Sequence, residues 1–270
     1  MNSAGLITIE KSADKIVRLT ISRPSALNAL NTSILQELDS CLNTLAAEAE
    51  GVFDAKEIPV RVLIIQGAGE KAFVAGADVK EFAELNPDSL TTFVELGQRV
   101  AMRLSSFPSP TIANVKGYCL GGGFELALSC DFILSDQGSI FGFPEVGLGL
   151  IPGFGGTQRI LKKVNPSVAK KLIFTGDQIT AEEALKLGIV NQVFSSDKLI
   201  TGVNDFAEKL AKKPPLSLQA AKRSIESAHL AADGYGLKVE EKEFKRLFYT
   251  KDAVEGRTAF IENRKPVFDK

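Results

Sequence analysis

The sequence predicts an α/β core over residues 1–200 and a helical region over residues 201–270. Three observations predict it. Val60–Gln66 and Thr111–Val115 are continuous apolar runs, the pattern of strands buried on both faces. Stretches with helical spacing alternate with these runs, as in a layered α/β fold. Beyond Asp197 no strand pattern appears, and helical patterns follow one another to the end.

Taken in order, residues 6–10 and 15–21 (LITIE and KIVRLTI) are short β-branched runs separated by Lys11–Asp14, and read as a hairpin. Arg23-Pro24 ends the second run. From Asn31 to Ala49, the residues Ile34, Leu35, Leu38, Leu42 and Leu45 recur every three or four positions. This is an amphipathic helix with Asn31 as its cap. Residues 50–59 read as a surface connection. Gly67-Ala-Gly-Glu-Lys-Ala follows the first buried strand and formally matches G-x-G-x-x-A, the dinucleotide fingerprint. The match is rejected. Lys71–Asp78 opens no clean helix, and no second strand ending in an acid follows at the required distance.

Asp78–Leu85 and Ser89–Leu104 read as helices, and Asp131–Leu134 as a strand. After Thr157 the chain is helical. Thr180-Ala-Glu-Glu183 is a capping box, opening a helix that stops at Gly188. Ile189–Phe194 reads as the last strand. The helices beyond are broken at Pro214-Pro215 and around Gly234–Gly236, and the final one runs over about Asp252–Asn263.

Composition narrows the function. The 270 residues are 44% hydrophobic, enough for a large core with an appendage. A net charge of −1 gives no reason to expect nucleic acid as partner. Cys41, Cys119 and Cys130 are too irregularly spaced for a disulfide or metal framework, and read as buried thiols in a reducing compartment. The N-terminal stretch lacks the apolar region of a secretory signal, and no long apolar run spans a membrane. The expectation is a cytoplasmic protein with no membrane partner.

Chemistry concentrates between Lys116 and Arg159. Gly121, Gly122 and Gly123 stand in a row before the helix-forming FELALS. Glycine costs about 1 kcal/mol inside a helix, so the triplet is read as serving a sharp turn or ligand approach rather than packing. The unpaired N–H groups of a helix start there would favour a negative oxygen. Glu125 lies on the same face as Gly122, among apolar neighbours. A buried carboxylate needs partners or a raised pKa. Glu145 follows Phe141-Gly-Phe-Pro and precedes Val-Gly-Leu-Gly-Leu, again apolar. Two such carboxyls can act as general acid and general base. The lone His229 lies far off, and no cluster of metal ligands appears.

Three blocks carry a family resemblance: AFVAGADVKEF (72–82), GYCLGGGFELALSCDF (117–132) and FGFPEVGLGLIPGFGGTQR (141–159). Together they resemble the signature blocks of the crotonase superfamily, specifically of enoyl-CoA hydratases. The resemblance implies a crotonase-like spiral of ββα repeats with a C-terminal helical trimerisation region. It implies a homotrimer or a dimer of trimers, and an acyl-CoA thioester substrate. No cofactor is implied beyond the coenzyme A of the substrate, and no metal. The family's oxyanion donors match the amides of Ala77 and Gly122, and its catalytic glutamates match Glu125 and Glu145. Coenzyme A would run along Ala75, Ala77, Asp78, Val79 and Lys80. Gly122 and Gly153 would line the same pocket, and Phe248 would approach the adenine end.

The implied reaction is hydration of 2-enoyl-CoA to 3-hydroxyacyl-CoA, as in fatty-acid β-oxidation. Two departures stand out. The block often reads FGQPE in hydratases, and Phe143 here should make the pocket wall more apolar. The family's basic residue near the C-terminus falls at Asn263, with Arg264 and Lys265 adjacent. An isomerase of the same superfamily can work with one carboxylate, so retention of Glu125 and Glu145 favours hydration. An RNA-binding branch uses a lysine-rich first helix; Asn31–Glu50 has no Lys or Arg.

Overall fold

A computed structural model describes residues 5–50, 58–82 and 84–227, and positions 250, 251, 255, 258, 259, 262, 264, 265 and 267. His229, the break at 234–236 and Phe248 lie outside the described residues, as does most of the final helix read over 252–263.

Ile7–Lys11 (β1) and Ile16–Ile21 (β2) form the expected antiparallel hairpin. Val17, Leu19 and Ile21 alternate into the core. Thr32–Ala49 (α1) starts at Asn31, whose side chain accepts the Ile34 N–H at 2.9 Å. Between them Asn28 sits fully buried at φ +58. Its carboxamide accepts the Arg23 N–H and donates to the Ala68 and Ala72 carbonyls, at 2.8–2.9 Å. That one side chain fastens the loop after β2 to the segment at 68–72.

Val62–Gly67 (β3) leads into Ala72–Val74 (β4), then Val79–Phe82 (α2) and Pro87–Ser105 (α3). Thr111–Val115 (β5) leads into Tyr118–Leu120 (β6) and Gly122–Leu128 (α4). Phe132–Asp136 (β7) leads into Ile140–Gly142 (β8), a 3-10 turn over Pro144–Leu148, and Gly156–Arg159 (α5). Among the described residues, β1-β2-β3-β5-β7 and Gln192–Phe194 (β10) form one sheet in that order, and β4-β6-β8 and Ile179–Thr180 (β9) a second. β3, β5 and β7 of the large sheet are thus each followed by one strand of the small sheet and then a helix. This is the spiral of ββα repeats that the resemblance implies. Leu30 pairs with Ala77 in a single parallel bridge, a one-residue counterpart of the small strands before α1.

Pro166–Thr175 (α6), Ile179–Thr180 (β9), Ala181–Lys186 (α7) and Gln192–Phe194 (β10) complete the core. The capping box is present: the Thr180 hydroxyl accepts the Glu183 N–H, and the Glu183 carboxylate accepts the Thr180 N–H. Leu199–Ala211 (α8) and Pro215–Ser227 (α9) form the start of the helical region. Leu199, Val203 and Ala207 of α8 cover Val62, Ile64, Ile112 and Leu134. The main core lies on the other face, so β3 and β5 are buried on both sides, as their continuous apolar runs require.

The small sheet is what the sequence reading missed. Its strands are two or three residues long, too short for any periodicity to register. The helix expected over Asp78–Leu85 shrinks to Val79–Phe82. Cys119 and Cys130 are buried, whereas Cys41 is only half-buried; all three are free thiols. Among the described residues no helix is long and apolar enough to cross a membrane.

Candidate active site

The strands β4, β6 and β8 run parallel, with Leu120 opposite Gly142. Their carboxyl ends therefore open on one edge, the usual place for a site in parallel sheets. Ala75–Ala77 leaves the end of β4, Gly121-Gly122 the end of β6, and Phe143–Glu145 the end of β8.

The glycine triplet is divided between two tasks. Gly121, at φ +50, makes the turn into α4, in a region that disfavours any side chain. A Cβ there would also lie 2.9 Å from Glu145 Oε1 and 3.7 Å from Gly76 Cα. The three strand ends thus meet at Gly121. A Cβ on Gly123 would collide with the Val74 carbonyl. Gly123 is needed for close packing of α4 on β4, which corrects the reading that excluded packing.

Leu30 donates to the Gly76 carbonyl and accepts the Asp78 N–H, both at 2.8 Å. The peptide groups of Ala77, between those two, face away from that partner. Among the described residues, neither the Ala77 nor the Gly122 N–H is engaged by a protein acceptor. Gly122 is the first residue of α4, where an unpaired N–H is inherent.

Glu125 is 1% exposed on a helix with every residue buried. Its Oε1 accepts the N–H groups of Phe154 at 2.8 Å and Gly156 at 2.6 Å. Burial pushes its carboxyl above the ordinary range, while these two amides and the Arg159 charge oppose the rise. Glu145 is half-buried, and its Oε2 is enclosed without a hydrogen-bond partner among the described residues. Burial, reinforced by the charge of Glu125, raises it to about 7. The two carboxyls are therefore electrostatic neighbours with unlike surroundings. One is cradled by donors that favour its anion; the other is held closer to its neutral form.

The loop that cradles Glu125 escaped the sequence reading. Phe154 seats its ring against Phe93, with centroids 5.6 Å apart, where a Cβ on Gly97 would collide with it. Gly155 turns the chain at φ +99. A Cβ on Gly156 would lie 2.8 Å from the Phe143 ring and 2.9 Å from Glu125 Cγ and Oε1. The only sequence signal was the glycine spacing in GFGGTQR. Glycines mark close approach without saying to what.

Ala75, Ala77 and Asp78 are half-buried, and Val79 and Lys80 exposed. Asp78 pairs with Arg23 at 2.5 Å, and this hydrogen bond holds its carboxyl below the usual range. Its other oxygen accepts the Lys80 N–H. A Cβ on Gly153 would meet nothing within 4 Å. Phe143 is 0% exposed and stacks on Phe124 at 4.7 Å. It lies in the core behind Glu125, not in an exposed pocket wall as expected. Phe248 and Asn263 lie outside the described residues. Arg264 is held by Glu255 and Glu262, and Lys265 is exposed.

A cavity of about 420 Å³ lies elsewhere, under α9. It holds neither glutamate. Two of its lysines are paired with its acids, Lys222 with Asp131 at 2.8 Å and Lys162 with Glu226 at 2.7 Å.

The model of the family described as enoyl-CoA hydratase/isomerase matches residues 11–270. The chain belongs to the enoyl-CoA hydratase/isomerase family. Its relatives include a short-chain-enoyl-CoA hydratase of Clostridium acetobutylicum, 40% identical over 96% of this chain and 95% of that one. A crotonyl-CoA hydratase of Syntrophomonas wolfei is 38% identical over 97% of both. Among solved structures, an enoyl-CoA hydratase from Bacillus anthracis superposes with a TM-score of 0.91 at 34% identity, covering 98% of this chain and 99% of that one. Within this enoyl-CoA hydratase/isomerase family member, Ala77 and Glu145 fall on the segments after β4 and β8, Gly122 and Glu125 on α4, and Gly153 in the loop before α5. Asp78, Val79 and Lys80 continue from the first of these loops into α2.

Proposed function

We propose that this protein hydrates 2-enoyl-CoA thioesters to 3-hydroxyacyl-CoA. One observation carries the reading: two coupled carboxyls of unlike surroundings beside two unengaged main-chain amides. The Ala77 and Gly122 amides receive the thioester oxygen as negative charge grows on it. Removal of one such donor typically costs about 3 kcal/mol in the barrier. Glu125, where the Phe154 and Gly156 amides oppose the rise that burial causes, takes a proton from water as the oxygen bonds to C3. Glu145, kept toward its neutral form, delivers a proton to C2. The elements of water are then added and both carboxyls have exchanged a proton, which solvent restores. The two titrate as a coupled pair.

Ala75, Asp78, Val79, Lys80 and Gly153 line the path of the coenzyme A portion, with Phe248 at its adenine end; no other cofactor is required. The relatives named for short-chain and crotonyl thioesters support a short acyl chain. The step corresponds to the hydration of fatty-acid β-oxidation, in the cytoplasm. Residues 1–200 form the catalytic core, and the helical region over residues 201–270 supplies the contacts of a homotrimer or a dimer of trimers. Light scattering on the purified chain tests the assembly.

The test of the chemistry is steady-state turnover of a four-carbon 2-enoyl thioester, with products separated chromatographically. Glu125→Gln and Glu145→Gln should each lower kcat by about 10²–10⁴-fold, with the circular dichroism spectrum unchanged. Near-parental hydration by either variant rejects the two-carboxyl mechanism. A 3-enoyl product in place of the 3-hydroxyacyl product identifies an isomerase.

A further inference from the structure

Beyond the two glutamates, we infer that Arg159 is a positioning residue: it holds the 153–156 loop whose amides orient Glu125, and it touches no substrate. The inference rests on the assignment of Glu125 above. Arg159 Nη1 donates to the Phe154 carbonyl at 2.6 Å, and its Nε donates to Ser105 Oγ at the end of α3, at 3.2 Å. The carbonyl and N–H of Phe154 are thus used in opposite directions, one by Arg159 and one by Glu125. The guanidinium lies over Gly155, where a Cβ would collide with Nη1. A larger residue at 155 would displace both the turn and the cation.

The loop is held from α3 at further points. Phe154 packs on Phe93 where Gly97 makes room, and Gln98 donates to the Gly153 carbonyl at 2.9 Å. Arg159 differs from these anchors in being charged. Glu125 faces Arg159 from α5 and Glu145 from the 3-10 turn. Arg159 in turn faces Glu226 of α9, and borders the cavity that also holds Asp131, Lys162, Lys163 and Lys222. Arg159 is half-buried, so its field reaches Glu125 with less screening than a surface cation would have. Arg159 therefore does two things at once. It fixes the direction of two N–H donors, and it favours the ionised form of the group they serve.

A purely structural anchor would do only the first, and the pH profile separates the two. Glu125 must be ionised to accept a proton from water, so kcat falls on the acid side as it becomes protonated. Without the cation, protonation is easier and the acid limb moves to higher pH. Arg159→Met should lower kcat about 10–100-fold, leave KM for the thioester within about threefold, and move the acid limb to higher pH. Arg159→Lys should keep the parental limb with a reduced kcat, because a single ammonium cannot reproduce the planar fork.

An unchanged kcat and limb in Arg159→Met overturns the inference. So does a rise in KM alone, which would mean substrate contact. So does a loss of kcat that merely follows the folded fraction with the limb unmoved. Should Arg159→Met fail to fold, Arg159→Lys decides, and a displaced limb or an unchanged kcat refutes it. Glu125→Gln is run in the same assay. Full activity there overturns the assignment of Glu125 and this inference together, whereas an inert Glu125→Gln beside an unaffected Arg159→Met overturns the inference alone.

Discussion

Replacement of Glu145 by glutamine should make the protein more stable at pH 8 while removing its activity. The folded protein raises Glu145 from its ordinary 4.5 to about 7, chiefly by burial and then by the charge of Glu125. Between those values the folded chain keeps a proton that the unfolded chain has released. Stability contributed by the neutral carboxyl is therefore complete at low pH, and falls as pH rises through this window. By pH 8 the folded state carries an ionised carboxylate with an oxygen that has no donor among the described residues. The gap from 4.5 to about 7 corresponds to about 3 kcal/mol at most. Glu145 is only half-buried, and solvent screening reduces this to about 1–2 kcal/mol. Glutamine has nearly the same shape and cannot ionise. At pH 5, near the lower end of that window, most of the difference is absent and the two proteins should melt closer together. At pH 8 Glu145→Gln should melt higher by about 2–6 °C for a chain of this size. Scanning calorimetry of both proteins at the two pH values measures the difference of differences. This cancels any change in packing that the amide introduces. A melting difference that does not depend on pH, or a variant less stable at pH 8 than at pH 5 relative to its parent, refutes the reasoning.

Three further outcomes follow from the same contacts. Because Glu145 ionises at about 7, kcat/KM for hydration should decline on the alkaline side of neutrality, measured as initial rates across pH 5–9; a flat alkaline profile contradicts its role as proton donor. Gly156→Ala places a methyl 2.9 Å from Glu125 Oε1 and 2.8 Å from the Phe143 ring. It should cut kcat about 100-fold with little loss of helical signal by circular dichroism. Asn28→Ala leaves the Ala68 and Ala72 carbonyls and the Arg23 N–H without their partner. Urea titration should register a loss of about 3 kcal/mol, with kcat per folded molecule reduced far less than stability.

The sequence by itself determined the hairpin, α1 with its Asn31 cap, β5, the capping box at Thr180 and the buried setting of Glu125. These are local or periodic signals: a cap is read from one residue and its third neighbour, and a buried strand from its own composition. The family resemblance supplied the spiral, because its blocks are long and ordered even where single elements are not. The small sheet was decided only by tertiary structure, since strands as short as Ala72–Val74 exist because β4, β6 and β8 pair with one another. The same holds for the double role of the glycine triplet, whose third member yields to the Val74 carbonyl from another segment. Phe143 looked like a pocket-wall residue from the family's FGQPE block, yet stacking on Phe124 buries it. The cradle of Glu125 by Phe154 and Gly156 joins residues about 30 positions apart, and no local pattern encodes such a contact. Sequence names the groups that can do chemistry, but their pKa values depend on which donors and charges the fold brings beside them.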